Sequence, residues 1–102
     1  MNVNYNAGRA FEYERMKFYK REKKCDVWRS SGSKGPFDLT VVTPGGDMLL
    51  IQCKRCNNEA TAMRLIRQFR EHPPLGQRTR AHYSQIMEVK VKGSKEVISS
   101  WV

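Results

Sequence analysis

Two segments with strand-like composition, residues 37–42 and 48–55, are separated by only five residues, which are rich in glycine and proline. A connection this short joins antiparallel strands in a hairpin. If the turn is centred on Gly45, Asp38 lies opposite Gln52, because the two residues are equally distant from the turn. A slip of one residue would send the two side chains to opposite faces. The hairpin is therefore the strongest constraint on how this chain folds.

The rest of the chain supplies two helices and three more strands. Apolar periodicity predicts helices over 8–24 and 59–71, and Pro73 ends the second of them. Further strands are predicted over 25–29, 82–92 and 96–102. A chain of 102 residues builds one core. We therefore predict a single domain over 1–102, an α/β fold with a mixed central sheet flanked by helices.

The charge balance predicts a polyanionic partner. The chain has nineteen Lys and Arg residues and ten Asp and Glu residues, which gives a net charge of +9. Such a surface attracts nucleic acid and, as a weaker alternative, an anionic membrane. We expect no membrane partner, because there is no apolar run of about 18 residues and no signal-peptide pattern. Three cysteines without a secretion signal predict reduced thiols and a cytoplasmic location.

The hairpin also suggests metal chemistry. Lys54 follows Gln52 by two residues and would share its face and that of Asp38. A carboxylate, an amide oxygen and the backbone carbonyl of Cys53 are oxygen ligands of the kind that Mg²⁺ prefers. The lysine could act on a phosphodiester held beside the ion. From the spacing alone, an alternative stays open in which Asp38 caps the turn and the other side chains are a solvated strand face.

Longer motifs carry a resemblance to a known family. The segment RSSGSKGPFD (29–38), followed by IQCKR (51–55), resembles the archaeal-type Holliday junction resolvases and their phage and bacterial relatives. These enzymes belong to the PD-(D/E)xK nuclease superfamily. The segment GRAFEY (8–13) resembles the helix that carries their first acidic residue. The resemblance covers residues 7–56, and over the rest of the chain only the order of elements is compatible.

The resemblance implies a role for individual residues. Glu12 would be the first metal-associated acid, Asp38 the central ligand, Gln52 the third ligand and Lys54 the catalytic lysine, while Arg29 and Ser33 would contact phosphate. It also implies a restriction-endonuclease-like fold, a homodimer, Mg²⁺ or Mn²⁺ as cofactor, and paired nicks across a four-way DNA junction. No small-molecule substrate is expected. A location at the nucleoid, or in a host cytoplasm for a bacteriophage protein, would follow.

Two features depart from the family pattern or leave it ambiguous. Gln52 stands where a glutamate is usual, which removes a negative charge and should weaken metal binding. Glu14 is an alternative to Glu12, because Glu14-Arg15 also matches the family, and Glu14 falls on the apolar stripe between Phe11 and Phe18. Residues two apart on a helix point about 200° apart, so only one of the two acids can face the site. We predict Glu12.

Other residues are assigned less directly. Arg9, Lys34 and Arg55 lie within these motifs and are predicted to contact DNA. The pair Cys53 and Cys56 suggests zinc or redox chemistry, but no second ligand pair accompanies it, so ordinary thiols are favoured.

Two rival functions remain. One is a nuclease of the same superfamily that acts on ends, flaps or foreign duplex, and the other is a junction-binding protein without catalysis.

Overall fold

A computed structural model describes residues 3–30, 35–77 and 83–102, with only the backbone for residues 3–7. In these ranges the chain forms two α-helices, one π-helical turn and five strands. In chain order they are α1 (Val3–Lys17), the π-turn (Phe18–Glu22), β1 (Asp26–Arg29), β2 (Leu39–Val42), β3 (Met48–Cys56), α2 (Glu59–Glu71), β4 (Tyr83–Val91) and β5 (Val97–Trp101).

The strands form one mixed sheet in the order β1-β2-β3-β4-β5. Neighbouring strands are antiparallel except β3 and β4, which are parallel and are connected through α2. A parallel pair needs such a crossover, because a tight turn can reverse the chain but cannot bring it back to the same end. The predicted α/β fold with a mixed sheet flanked by helices is confirmed. In the described ranges no helix has the length and apolarity needed to cross a membrane.

The predicted centre of the β2–β3 turn is confirmed, and the strands pair as predicted from Leu39 onward. Leu39 pairs with Ile51 and Val42 with Met48, so the turn is centred on Gly45. Two hydrogen bonds close the turn between Thr43 and Asp47, one through the threonine hydroxyl. β2 begins at Leu39 rather than at residue 37. The backbone N–H of Asp38 nevertheless donates to the carbonyl of Ile51 at 2.8 Å, so Asp38 stays attached to β3.

Each face of the sheet is covered by one helix. On the α1 face, Tyr19 packs with Leu39, Ile51, Ile86 and neighbouring apolar residues. On the α2 face, Ala62, Ile66 and Phe69 pack with Met87 and Val89. Because side chains alternate along a strand, the odd-numbered residues near Ile51 in β3 face α1 and the even-numbered ones face α2.

The first helix departs from its prediction over 8–24. It begins at Val3, and after Lys17 it widens into the π-turn. Phe18 and Tyr19 both pack against the α1-face core, with their rings edge to face at 5.2 Å. A wider turn accommodates two adjacent large rings on one side, which the regular α-helical period would separate. The segment ends where Lys24 adopts a positive φ of 55°.

Candidate functional site

The site lies where the β2–β3 hairpin opens. β3 continues to Cys56, whereas β2 leaves its edge before Leu39. Beyond the end of β2, the side chain of Asp38 supplies the hydrogen-bond acceptor that a neighbouring strand would otherwise provide. Its Oδ2 accepts a hydrogen bond of 2.8 Å from the N–H of Cys53. The N–H and C=O of one strand residue point to the same side. The carbonyl of Cys53 therefore points to the same edge as the carboxylate of Asp38.

Glu12 brings a second carboxylate from α1. Burial raises the pKa of Glu12, and the negative charge of Asp38 raises it further, whereas Arg29 and Arg9 lower it. Burial also raises the pKa of Asp38, opposed by the Cys53 N–H, Lys54 and Arg29. The two carboxylates are thus close enough to repel each other, and the cations around them offset only part of the cost.

Arg29 offers a hydrogen-bond donor at this site. Its Nε lies 3.4 Å from Oε1 of Glu12, within ion-pair distance. That Nε is buried and makes no hydrogen bond within the described ranges. The guanidinium carbon lies 5.1 Å from the centre of the Tyr13 ring, which holds the group in place. A buried N–H without an acceptor is costly, so an anionic oxygen bound here would be stabilised.

Gln52 and Lys54 approach the site from the α2 face. They pair in register with Met87 and Val89, which belong to the core under α2. Together with side chains of α2 they line a surface groove. Lys54 is near enough to lower the pKa of Asp38. Glu12 lies on the other face, so Asp38 stands at the strand edge between groups from the two sides of the sheet.

The remaining predicted residues differ in how they are placed. Arg9 is exposed on α1, and Arg55 is exposed near the end of β3. Ser33 and Lys34 lie outside the described residues. Glu14 does not occupy the enclosed position expected between Phe11 and Phe18: its side chain is 50% exposed. Both of its carboxylate oxygens accept hydrogen bonds of 3.1 Å from Lys90 of β4, which draws the side chain away from Asp38.

A buried ionic cluster lies beside the site, and the sequence patterns did not predict it. Glu88 of β4 is only 1% exposed, and its carboxylate accepts hydrogen bonds from Arg15 Nε at 2.8 Å and Arg15 Nη2 at 3.0 Å. The hydroxyl of Tyr19 donates a third at 2.7 Å, and burial raises the pKa of that hydroxyl. Glu88 is also the register neighbour of Cys53.

This cluster fixes how α1 lies on the sheet. Arg15 follows Glu12 by three residues, so the two side chains project from adjacent turns of one helix face. Anchoring Arg15 to Glu88 therefore sets the direction in which Glu12 points. The available sequence signal is weak: an acid in the middle of the apolar segment IMEV (86–89) and an arginine one turn after Glu12.

The three cysteines form no disulfide. Cys25, Cys53 and Cys56 are all free, and Cys56 packs on the α2 face, opposite to Cys53. Burial raises the pKa of the Cys53 thiol, and the charges of Glu88 and Asp38 raise it further, which keeps it neutral.

The donors at the hairpin opening suit a hard cation. Two carboxylates that repel each other and a backbone carbonyl are oxygen ligands, which fits Mg²⁺ or Mn²⁺. In the described part of the chain, no group of three or more His, Cys, Asp or Glu that could hold a metal is found. The predicted ligand set contains two acids, Glu12 and Asp38, which is fewer than such a group requires. The metal site therefore stays a prediction. No protein-family model matches this chain, and no curated protein matches its sequence.

Proposed function

We propose that this protein is a metal-dependent endonuclease that resolves four-way DNA junctions by paired symmetric nicks. The observation that carries the proposal is the opening of the hairpin. There, Asp38 bonds to the N–H of Cys53, Glu12 faces Asp38 from α1, and Lys54 adds its charge from the other face. These are the residue types that the resemblance to junction resolvases assigns to catalysis.

The fold agrees with this proposal. The chain forms a helix, three antiparallel strands, a crossover helix and a fourth strand parallel to the third. This order of elements is compatible with the restriction-endonuclease-like fold that the resemblance implies. A net charge of +9 suits a DNA partner. A homodimer would supply two sites for symmetric nicks, and the protein would work where DNA is, at the nucleoid or in the cytoplasm of a phage host.

Glu12, Asp38 and the carbonyl of Cys53 would hold the metal ion, with Gln52 as a neutral ligand. When bound, the ion would make an attached water more acidic and stabilise charge on the phosphate. Because Gln52 replaces the usual glutamate, the site carries two negative charges in place of three, which would weaken binding of the metal ion. The repulsion between Glu12 and Asp38 is the physical reason to expect a cation there, because a positive ion would relieve it.

The other residues bind and orient the DNA. The buried Nε of Arg29 would donate to a phosphate oxygen beside Glu12. Lys54, on the opposite side of Asp38, would neutralise charge that develops on the phosphate. Arg9 and Arg55 are exposed on either side and would contact neighbouring phosphates. Ser33 and Lys34 are assigned to the same backbone by the resemblance.

The direct test is cleavage of a labelled four-way junction and of its component duplex in Mg²⁺, Mn²⁺ and EDTA. We expect paired nicks on the junction, little cutting of the duplex, and no cutting in EDTA, because the carboxylates alone cannot activate water. Equal cutting of junction and duplex would favour the rival nuclease that acts on ends, flaps or foreign DNA. Tight junction binding without nicks in either metal would favour a protein that binds and does not cut.

The choice between the two glutamates can be tested with matched variants. Glu12→Gln should lower the junction cleavage rate by about 100-fold or more, because it removes one of the two carboxylates that would hold the metal. Glu14→Gln makes the same change two residues away and should cleave at close to the wild-type rate. Single-turnover rates in Mg²⁺ measure both. The reverse order of effects would transfer the metal-binding role to Glu14.

A further inference from the structure

A groove of about 390 Å³ lies between the sheet and α2, beside the candidate site. Its apolar surface comes from Leu65 and Phe69 of α2 and from Met87 of β4. Its polar groups are Gln52, Gln68 and His72, with Lys54 at the same place on β3. Gln68 and His72 are exposed, whereas Phe69 and Met87 are buried, so the apolar groups form the floor and the polar groups the rim.

The chemistry of this groove matches a nucleobase. A base has two apolar faces and an edge of hydrogen-bond donors and acceptors. Apolar side chains can cover a face, and the side chains of Gln68 and His72 can form hydrogen bonds with an edge. The surrounding charge favours a nucleic acid over an apolar protein segment, because Lys54 lines the groove and Arg64, Arg67 and Arg70 are exposed on the same helix.

The position of the groove indicates which base would enter. Gln52 and Lys54 belong both to the groove and to the candidate site. This step rests on the proposed function: a phosphate bound by Lys54 beside Asp38 would place its neighbouring nucleotide next to the groove. A paired base inside a duplex is stacked on both sides and is costly to extrude. A base at the branch point has an interrupted stack and is easier to turn out.

We propose that this groove binds one unstacked base at the branch point of the junction, next to the phosphate that is cut. The base lies on Leu65, Phe69 and Met87, and Gln68 and His72 hold its edge. The groove would then favour a junction over a duplex by a second means, in addition to recognition of the shape of the phosphate backbone. A regular duplex offers no such base, so it gains nothing from the groove.

The test places 2-aminopurine, which fluoresces more strongly when it leaves the stack, next to the branch point of a junction. A second junction carries it in the middle of an arm. With wild-type protein in EDTA, we expect the branch-point signal to rise about twofold or more over the free junction, with no rise in the arm. A mobility-shift assay on the same samples reports binding independently of the fluorescence.

Variants then assign the signal to the groove. Gln68→Ala combined with His72→Ala should abolish the rise and weaken junction binding about tenfold, with duplex binding unchanged. Met63→Ala is the matched control, because Met63 is exposed on the same helix and does not line the groove. It should behave as wild type.

Each other outcome overturns the proposal in a distinguishable way. Junction binding without a rise in fluorescence overturns the base-binding groove and leaves the proposed function intact. A rise that persists in the double variant shows that the base unstacks elsewhere, which also overturns the groove. Absence of junction binding by the wild type overturns both the groove and the proposed function.

Discussion

Asp38→Asn is expected to slow the proposed junction cleavage by about a thousandfold, because losing a carboxylate at the proposed metal centre would remove several kcal/mol of transition-state stabilisation. The fold should survive the change. Asparagine has the same shape, and its side-chain oxygen can still accept the hydrogen bond from the N–H of Cys53. DNA binding should be unchanged or tighter, because the variant carries one negative charge fewer.

Single-turnover cleavage in Mg²⁺ and a mobility shift in EDTA measure the two expected effects separately. Asp47→Asn is the matched control, since Asp47 is an exposed acid in the turn of the same hairpin. The control should cleave and bind as wild type does. If Asp38→Asn cleaved at the wild-type rate while Asp47→Asn did not, the opening of the hairpin would not be the catalytic centre.

Arg15→Ala is expected to lower the free energy of unfolding by about 3–5 kcal/mol. Among the described residues, the variant leaves the carboxylate of Glu88, which is 1% exposed, with the hydroxyl of Tyr19 as its remaining side-chain partner. The total free energy of unfolding of a domain of this size is about 5–15 kcal/mol. The melting temperature should therefore fall by roughly 15 °C or more, as measured by calorimetry or by circular dichroism during heating.

The chain contains its own control for this prediction. Glu14 and Lys90 join the same helix to the same strand as Arg15 and Glu88 do, but Glu14 is 50% exposed. Glu14→Ala should cost less than about 1 kcal/mol, because water screens the pair. Combining Arg15→Ala with Glu88→Ala should cost less than the sum of the single changes. Equal losses for Arg15→Ala and Glu14→Ala would mean that the buried cluster does not anchor α1.

The parts of the fold that the sequence predicted best depend on short-range patterns. The register of the hairpin follows from a short turn, and the observed pairing runs from Val42 and Met48 to Leu39 and Ile51 as a turn centred on Gly45 predicts. The predicted pairing of Asp38 with Gln52 is not part of this ladder, because the N–H of Asp38 donates to Ile51 and its carboxylate accepts from Cys53. Helix α2 has the predicted bounds, from Glu59 to Glu71, because its apolar period is regular and a proline follows it. Its start is marked by Asn58, whose side chain accepts a hydrogen bond from the N–H of Thr61.

What the sequence did not predict depends on residues far apart in the chain. Glu88 lies in a strand that is buried on both faces, and its partners Arg15 and Tyr19 come from the first helix. No local pattern relates these positions. The exposure of Glu14 is a similar case: the sequence places it on the apolar stripe of the first helix, whereas its carboxylate accepts hydrogen bonds from Lys90 of β4, far along the chain. The π-turn likewise is not encoded by helix periodicity, and within it Phe18 and Tyr19 both pack against the α1-face core.

The separation of 73 residues between Arg15 and Glu88 also has a consequence for the order in which the protein matures. Domains are synthesised from the N-terminus, so α1 and the hairpin leave the ribosome well before β4. Until β4 has been made, the first helix lacks the charged partner that orients Glu12. In such a nascent chain the carboxylates of Glu12 and Asp38 would not yet be aligned. If the proposed function is correct, the protein would therefore acquire its cutting activity only after β4 has been synthesised and has joined the sheet.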